Sequence, residues 1–373
     1  MKKVLLVFGT RPEAIKMAPL VKELQKYPQD FLVKICVTAQ HREMLDQVLH
    51  FFQIIPDYDL NIMQKGQSLS QLTANILNNI NPVFEDFKPE LVLVHGDTAT
   101  TMTTALAAFY LQIPVGHIEA GLRSFNKFSP FPEEVNRSIT TLVSTFHFAP
   151  TKGAYDNLIR ENIPERNIKI TGNTVIDALL EGLQLLEGPH KNLIPESLKK
   201  ALIPNFRIIL VTAHRRENLG NGFENMADAL LEIAKMERVQ IIIPMHLNPK
   251  VREVILRKLS GLSNVLLIEP QPYEVFLWLM NEAYLILTDS GGIQEEAPSL
   301  HKPVLVMRDT TERPEGLEAG VLRLVGTSKE NIIFHTQDLL NNKESYEEMA
   351  NKQNPYGDGE ASKKIVQFLK ENL

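Results

Sequence analysis

The sequence predicts an α/β protein made of two doubly wound domains. Short apolar runs that read as strands alternate with helical stretches, and the alternation stops and restarts once. The break falls between Gly172 and Asn205, where residues 188–205 are enriched in Pro, Lys and Asn. In both halves polar residues gather where a strand gives way to a helix, the edge at which open α/β sheets bind ligands. A length of 373 residues is long for one domain and comfortable for two.

Val4 to Phe8 reads as a buried parallel strand, and Gly9-Thr10-Arg11-Pro12 as the turn into a helix over 13–25. Arg11 and Lys16 stand at that helix start, as ligand groups or as a solvated turn and helix face. This turn has one glycine and lacks Gly-x-Gly-x-x-Gly, which argues against a tightly bound dinucleotide. A strand over 31–38 and helices over 42–52 and 68–87 follow, with Asp57-Tyr58-Asp59 in a proline-led loop of structural role. Strand 91–94 ends in His95-Gly96-Asp97-Thr98, where Asp97 is either a ligand group or a helix N-cap. Strand 115–118 ends in Glu119-Ala120-Gly121-Leu122-Arg123, and a carboxylate there points to function more than to a loop salt bridge with Arg123. After a loop with two prolines comes a helix over 133–143, with Glu133 and Arg137 spaced as a surface pair. Strand 146–149, helix 152–160 and strand 168–171 complete the first half.

The second half restarts with strand 208–212, ending in Ala213-His214-Arg215-Arg216-Glu217-Asn218. Helices over 223–235, 249–259 and 273–280 alternate with strands over 239–243 and 265–268. They lead to an apolar strand over 284–287 that feeds Thr288-Asp289-Ser290-Gly291-Gly292 directly into another helix. Unpaired N–H groups and the positive dipole end converge there, and glycine permits close approach. The stretch is a phosphate cradle or an ordinary capped helix with Ser290 as cap. Strand 303–307 leads to Arg308-Asp309-Thr310-Thr311-Glu312-Arg313-Pro314, and a helix over 361–369 closes the chain.

With 44% hydrophobic and 23% charged residues, the composition is that of an ordinary globular protein. A net charge of −6 without a dense basic tract disfavours nucleic acid and anionic membranes as partners. Cys36 stands alone, so no internal disulfide and no cysteine-rich zinc site form. The N-terminal apolar run is too short for a signal-peptide core, and a cytoplasmic enzyme is the expectation. No metal motif, Ser-His-Asp arrangement or Gly-x-Ser-x-Gly declares itself, and no cofactor is expected. Arginines, helix starts and acids suit a nucleoside diphosphate with carboxylate acid–base chemistry. That leaves a nucleotide-sugar transferase, or a nucleotide-sugar isomerase or lyase.

The run Phe8-Gly9-Thr10-Arg11-Pro12-Glu13-Ala14-Ile15-Lys16-Met17-Ala18-Pro19 resembles the opening signature of the non-hydrolysing UDP-N-acetylglucosamine 2-epimerases. So do His95 to Thr98, His117 to Arg123, Pro132-Glu133-Glu134, His214 to Glu217, Thr288 to Pro298 and Arg308 to Pro314. The resemblance spans nearly the whole chain in order. It implies a glycosyltransferase-B-like fold: two Rossmann-like domains facing across a cleft that holds UDP. The domains would be 1–172, carrying the sugar and the acids, with 358–373 packing back on it, and 173–357, binding UDP. It implies reversible conversion of UDP-N-acetylglucosamine to UDP-N-acetylmannosamine through a glycal, and a homodimer. On the matching positions, Asp97, Glu119 and Glu133 would do acid–base work, with Lys16 beside the sugar. Arg11, His214, Ser290, Gly291, Gly292 and Arg313 would hold the diphosphate, Gln271 and Phe276 the uracil, and Glu296 the ribose. Some relatives are activated by a second UDP-N-acetylglucosamine; Gln40-His41 and His246 resemble parts of that region, whereas Glu43 and Gln67 depart from it. A hydrolysing 2-epimerase, a glycosyltransferase of the same fold and a non-catalytic nucleotide-sugar sensor are the competing readings.

Overall fold

The computed structural model describes residues 1–39, 42–63, 66–215, 218 and 220–373. The chain forms two compact units, Met1–Glu181 with Gly357–Leu373, and Gly182–Tyr356. The sequence reading divided the chain at 172. The helix Thr174–Glu187 follows that point, and its first turns belong to the N-terminal unit. There Asp177 accepts hydrogen bonds from the backbone N–H groups of Ala361 and Ser362.

The N-terminal unit runs β1 (Lys2–Phe8), α1 (Arg11–Gln25), β2 (Phe31–Val37), α2 (Arg42–Phe51), β3 (Tyr58–Asp59), α3 (Leu69–Phe87) and β4 (Leu91–His95). It continues with α4 (Ala99–Tyr110), β5 (Val115–Ile118), α5 (Glu133–Val143), β6 (Phe146–Ala149), α6 (Lys152–Arg160), β7 (Ile168–Ile170) and α7 (Thr174–Glu187). Its seven strands are all parallel, in the order β3-β2-β1-β4-β5-β6-β7. β1 lies inside the sheet, and Val4 to Phe8 are fully buried, as a parallel strand covered on both faces requires. Gly9 follows it because nothing larger fits: a Cβ there would lie 2.0 Å from Thr38 Oγ1 and 2.7 Å from Thr100 Oγ1.

The C-terminal unit runs α8 (Glu196–Ala201), β8 (Arg207–Thr212), α9 (Asn221–Ile233), β9 (Val239–Pro244), α10 (Pro249–Leu259), β10 (Val265–Ile268), α11 (Tyr273–Glu282) and β11 (Leu285–Thr288). Then come α12 (Gly291–Glu296), β12 (Val304–Val306), α13 (Pro314–Glu318), β13 (Leu322–Leu324), α14 (Lys329–Asn341) and α15 (Lys343–Ala350). The six strands are again parallel, in the order β10-β9-β8-β11-β12-β13. Ile209, Val211, Phe223, Leu230, Ile241 and Leu285 are among the core that joins its sheet to the covering helices. The last helix, α16 (Ala361–Asn372), returns to the N-terminal unit, where Phe368 meets Phe146 and Phe148 edge-on at 5.6 Å.

The sequence reading lacks β3, α7, α8, α13, β13, α14 and α15, and for four of them the reason is physical. β3 and β13 are edge strands of two and three residues, too short to show a period. α7 lies where the reading placed the domain break, and α14 buries only a narrow apolar stripe of Ile332, Thr336, Leu339 and Leu340. The Asp57-Tyr58-Asp59 loop is structural: Asp57 accepts from the Ile35 N–H at 2.9 Å and Asp59 pairs with Arg42.

Candidate active-site residues in the two units

In the N-terminal unit, Glu119 is the hub. It follows β5 with φ +61°, a left-handed conformation that non-glycine residues adopt only under constraint. Its Oε2 pairs with Lys16 of α1 and accepts from Asn173 Nδ2 at 3.3 Å. Its Oε1 lies 3.2 Å from Arg137 Nη2, and the same Nη2 reaches Asp97 Oδ2 at 2.6 Å. Arg137 Nη1 donates to the Glu119 backbone carbonyl. Asp97 and Glu119, distant in sequence, therefore meet through one buried guanidinium, and Lys16 joins them through Glu119.

This settles three alternatives left open by the sequence. Thr98, not Asp97, caps α4, accepting from the Thr101 N–H at 3.1 Å. Arg123 pairs with Glu161 at 2.6 Å instead of with Glu119. Arg137 is not a surface partner of Glu133: it is 5% exposed and turns to Asp97 and Glu119. Glu133 itself opens α5, with Oε2 buried and making no hydrogen bond among the described residues.

Burial alone would raise the Glu119 carboxyl, but Lys16 foremost, with Arg137 among the other charges, holds it well below the usual carboxylate range. His95 Nε2 is 3.7 Å away, and burial pushes that imidazole down to about 3 against the pull of Glu119, leaving it neutral. The loops of β1 and β4 are joined by Glu13, which is 2% exposed. Its Oε2 accepts from the Gly9 and Thr10 N–H groups at 3.0 and 2.8 Å, and its Oε1 from the Thr98 and Thr101 hydroxyls at 2.7 and 3.0 Å. Arg11, the first residue of α1, is half-buried at the same strand-end edge.

In the C-terminal unit the predicted residues also lie after strand ends. Ser290 occupies the N-cap position of α12, yet its side chain makes no cap bond, so the ordinary-cap alternative is not what forms. Gly291 and Gly292 open that helix, and a Cβ on Gly291 would come within 3.5 Å of Arg313 Nη2 and 3.7 Å of Arg215 Nη2. Arg313 pairs with Glu295 through Nε, and Arg215 donates to Glu312 at 3.0 Å. Glu296 ends α12 half-buried. Gln271 lies between β10 and α11, donating to the Glu269 carbonyl at 2.6 Å, and Phe276 is half-buried in α11.

His214, after β8, is set by Asp289, a wholly buried carboxylate that accepts from the His214 and Arg215 N–H groups. His214 Nδ1 is 3.3 Å from Asp289 Oδ1, and its ring stacks on His246 at 5.4 Å. Burial lowers the His214 imidazole from its ordinary value, with Asp289 opposing. Gln40, His41, Arg216 and Glu217 lie outside the described residues. Sequence reasoning missed Arg137, Glu13, Asp289 and Arg215 as parts of these arrangements. Glu13, Asp289 and Arg215 stand inside the quoted motifs, whereas Arg137 turns inward only through the packing of α5.

Two open, all-parallel sheets with polar residues collected at the strand ends belong to the nucleotide-binding class of doubly wound proteins. Comparison narrows this. The chain belongs to the UDP-N-acetylglucosamine 2-epimerase family, whose profile matches residues 22–370. It is 57% identical to UDP-N-acetylglucosamine 2-epimerase of Salmonella typhimurium, across 99% of this chain and 98% of that one. Identity to the Escherichia coli K12 enzyme of the same name is 56%, covering 99% of both chains. The crystal structure of UDP-GlcNAc 2-epimerase from Neisseria meningitidis bound to UDP-GlcNAc matches with a TM-score of 0.88 and 55% identity, over 99% of this chain and 100% of that one. The two Rossmann-like domains that the resemblance implies are both present in this chain, as in that solved structure.

Proposed function

We propose that this protein interconverts UDP-N-acetylglucosamine and UDP-N-acetylmannosamine by eliminating UDP across C1–C2 and adding it back. The C2 proton has no adjacent carbonyl to acidify it, so direct exchange is a poor route. In the elimination, the C1–O electron pair leaves with the diphosphate and the C2–H pair becomes the C1=C2 bond of a glycal. The proton passes to a carboxylate. Re-addition returns the diphosphate oxygen to C1 and delivers a proton to the opposite face of C2.

The observation that carries this reading is the convergence of Asp97 and Glu119 on Arg137, with Lys16 paired to Glu119, in a chain of this family. Asp97, Glu119 and Glu133 take the acid–base roles and Lys16 contacts the sugar. Arg11, His214, Ser290, Gly291, Gly292 and Arg313 stabilise the departing diphosphate. Gln271 and Phe276 flank the uracil, and Glu296 takes the ribose hydroxyls.

The same reading makes the product a cell-envelope polysaccharide precursor formed in the cytoplasm, and the protein a homodimer. Exposed Phe109, Tyr110 and Leu142, on helices α4 and α5 that pack together, support self-association; sedimentation tests it. For the reaction, UDP-N-acetylglucosamine is incubated with the protein in D2O and followed by NMR. A UDP-linked manno product with deuterium at C2 is expected. Free N-acetylmannosamine would identify a hydrolysing enzyme, and unchanged substrate a sensor or a transferase lacking its acceptor.

A further inference from the structure

We propose that Arg137 is the positioning residue of this site: its guanidinium clamps the carboxylates of Asp97 and Glu119 and the strained main chain of Glu119 in working geometry. The inference rests on the epimerase reading and adds to it a residue that need not touch substrate. Three features point to it.

The first is burial. The Arg137 side chain is 6% exposed, and a buried guanidinium is tolerated only where its donors are well used. Here the donors are spread over two loops. Nη2 serves Asp97 Oδ2 at 2.6 Å and Glu119 Oε1 at 3.2 Å, while Nη1 serves the Glu119 carbonyl. A lysine, a single point charge, does not reproduce this planar division.

The second is the backbone. Glu119 has φ +61°, and such a conformation persists in a glutamate only if its surroundings over-determine it. Arg137 holds both ends of that residue, carbonyl and carboxylate. The third is the helix. Asn136, the preceding residue of α5, donates through Nδ2 to the Asp97 carbonyl at 2.9 Å. α5 thus grips Asp97 by main chain and side chain alike, and fixes its distance from Glu119.

The test uses the full chain, with Arg137→Ala and Arg137→Lys, and reads kcat, KM, UDP affinity and the kcat–pH profile. Loss of alignment predicts a fall in kcat of about 100-fold for Arg137→Ala and about tenfold for Arg137→Lys, with KM and UDP affinity little changed. Millimolar guanidinium restores part of the kcat of Arg137→Ala and does nothing for wild type. The groups facing Glu119 are Lys16 from α1, His95 and Asp97 from β4 and its loop, Asn173 before α7, and Arg137. Arg137→Ala removes one of the two cations that hold the Glu119 carboxyl down, so that carboxyl rises and the acidic limb of kcat moves up by about one pH unit.

A near-wild-type kcat in either variant overturns the proposal. So does a loss that guanidinium does not rescue in a variant whose circular dichroism is native, because a merely structural arginine behaves that way. If Arg137→Ala does not fold, Arg137→Lys decides alone: it keeps the charge, so its acidic limb stays in place and a wild-type kcat refutes the clamp. Absence of C2 deuteration by wild type would instead defeat the epimerase reading, leaving the two failures distinguishable.

Discussion

Glu13→Ala is the most informative perturbation of the N-terminal unit, because one buried carboxylate accepts from four donors on two loops. The hydroxyls of Thr98 and Thr101 retain other partners, Thr101 in the His95 carbonyl at 2.5 Å and each in the other at 3.2 Å. Among the described residues the Gly9 and Thr10 N–H groups donate to Glu13, and each donor stranded by its loss costs about 1–3 kcal/mol. The Thr10 hydroxyl still accepts from the backbone N–H of residue 13, so the N-cap of α1 itself survives the substitution. Release of a buried charge offsets part of this, so a net loss of about 3–4 kcal/mol is expected. Burial raises the Glu13 carboxyl despite its hydrogen bonds. Its contribution is therefore complete below the unfolded carboxyl value and declines as pH rises through the folded one, so the gap between wild type and variant widens towards pH 4.5.

The assay must see this unit alone. The single tryptophan, Trp278, sits in α11 of the C-terminal unit, so fluorescence reports the wrong half. Amide hydrogen exchange at Gly9 and Thr10 reports the right one, and 3–4 kcal/mol corresponds to an acceleration of about 100- to 1,000-fold. Unchanged exchange at both amides would refute the assigned role of Glu13.

Asp97→Asn should keep UDP affinity while cutting deuterium incorporation at C2 by about 100-fold or more, measured by NMR; near-normal turnover removes Asp97 from the chemistry. Arg313→Ala should weaken UDP binding by about tenfold or more in calorimetry and, because it strands the buried Glu295, lower stability by up to about 3 kcal/mol in urea titration. Burial holds His147 down to about 4, below its unfolded value, so the unfolded chain binds the extra proton. Stability should then fall as pH drops from 6.5 towards 4, by at most about 1.4 kcal/mol per pH unit from this group. His147→Asn should flatten that slope in urea titrations at pH 7 and pH 5.

The parallel α/β architecture was legible because its strands are buried on both faces and appear as unbroken apolar runs, as Val4 to Phe8 shows. The candidate residues were legible as positions, since strand-end polar residues have little reason to exist in a core. Their partners were not. Glu133 and Arg137 have the spacing of a surface ion pair, and only packing α5 against the β4 and β5 loops turns Arg137 inward. Ser290 looked like a cap by type and place, but the Thr288 hydroxyl accepts the Ser290 N–H at 2.9 Å and the serine hydroxyl makes no cap bond. Local pattern specifies which residue stands at an edge; which neighbour it meets is decided by loops far apart in sequence.

The electrostatics of the N-terminal site follow from that arrangement. Lys16 and Arg137 balance Asp97 and Glu119, and the neutral His95 adds no charge. A balanced cluster keeps Glu119 ionised in a buried position where an isolated carboxyl would take up a proton. It also compensates a backbone conformation that costs about 1–3 kcal/mol in a non-glycine residue. Removing either cation would therefore disturb ionisation and geometry together. A variant that alters only one of them, such as a lysine at 137, separates the two contributions, because it keeps the charge and loses the fork.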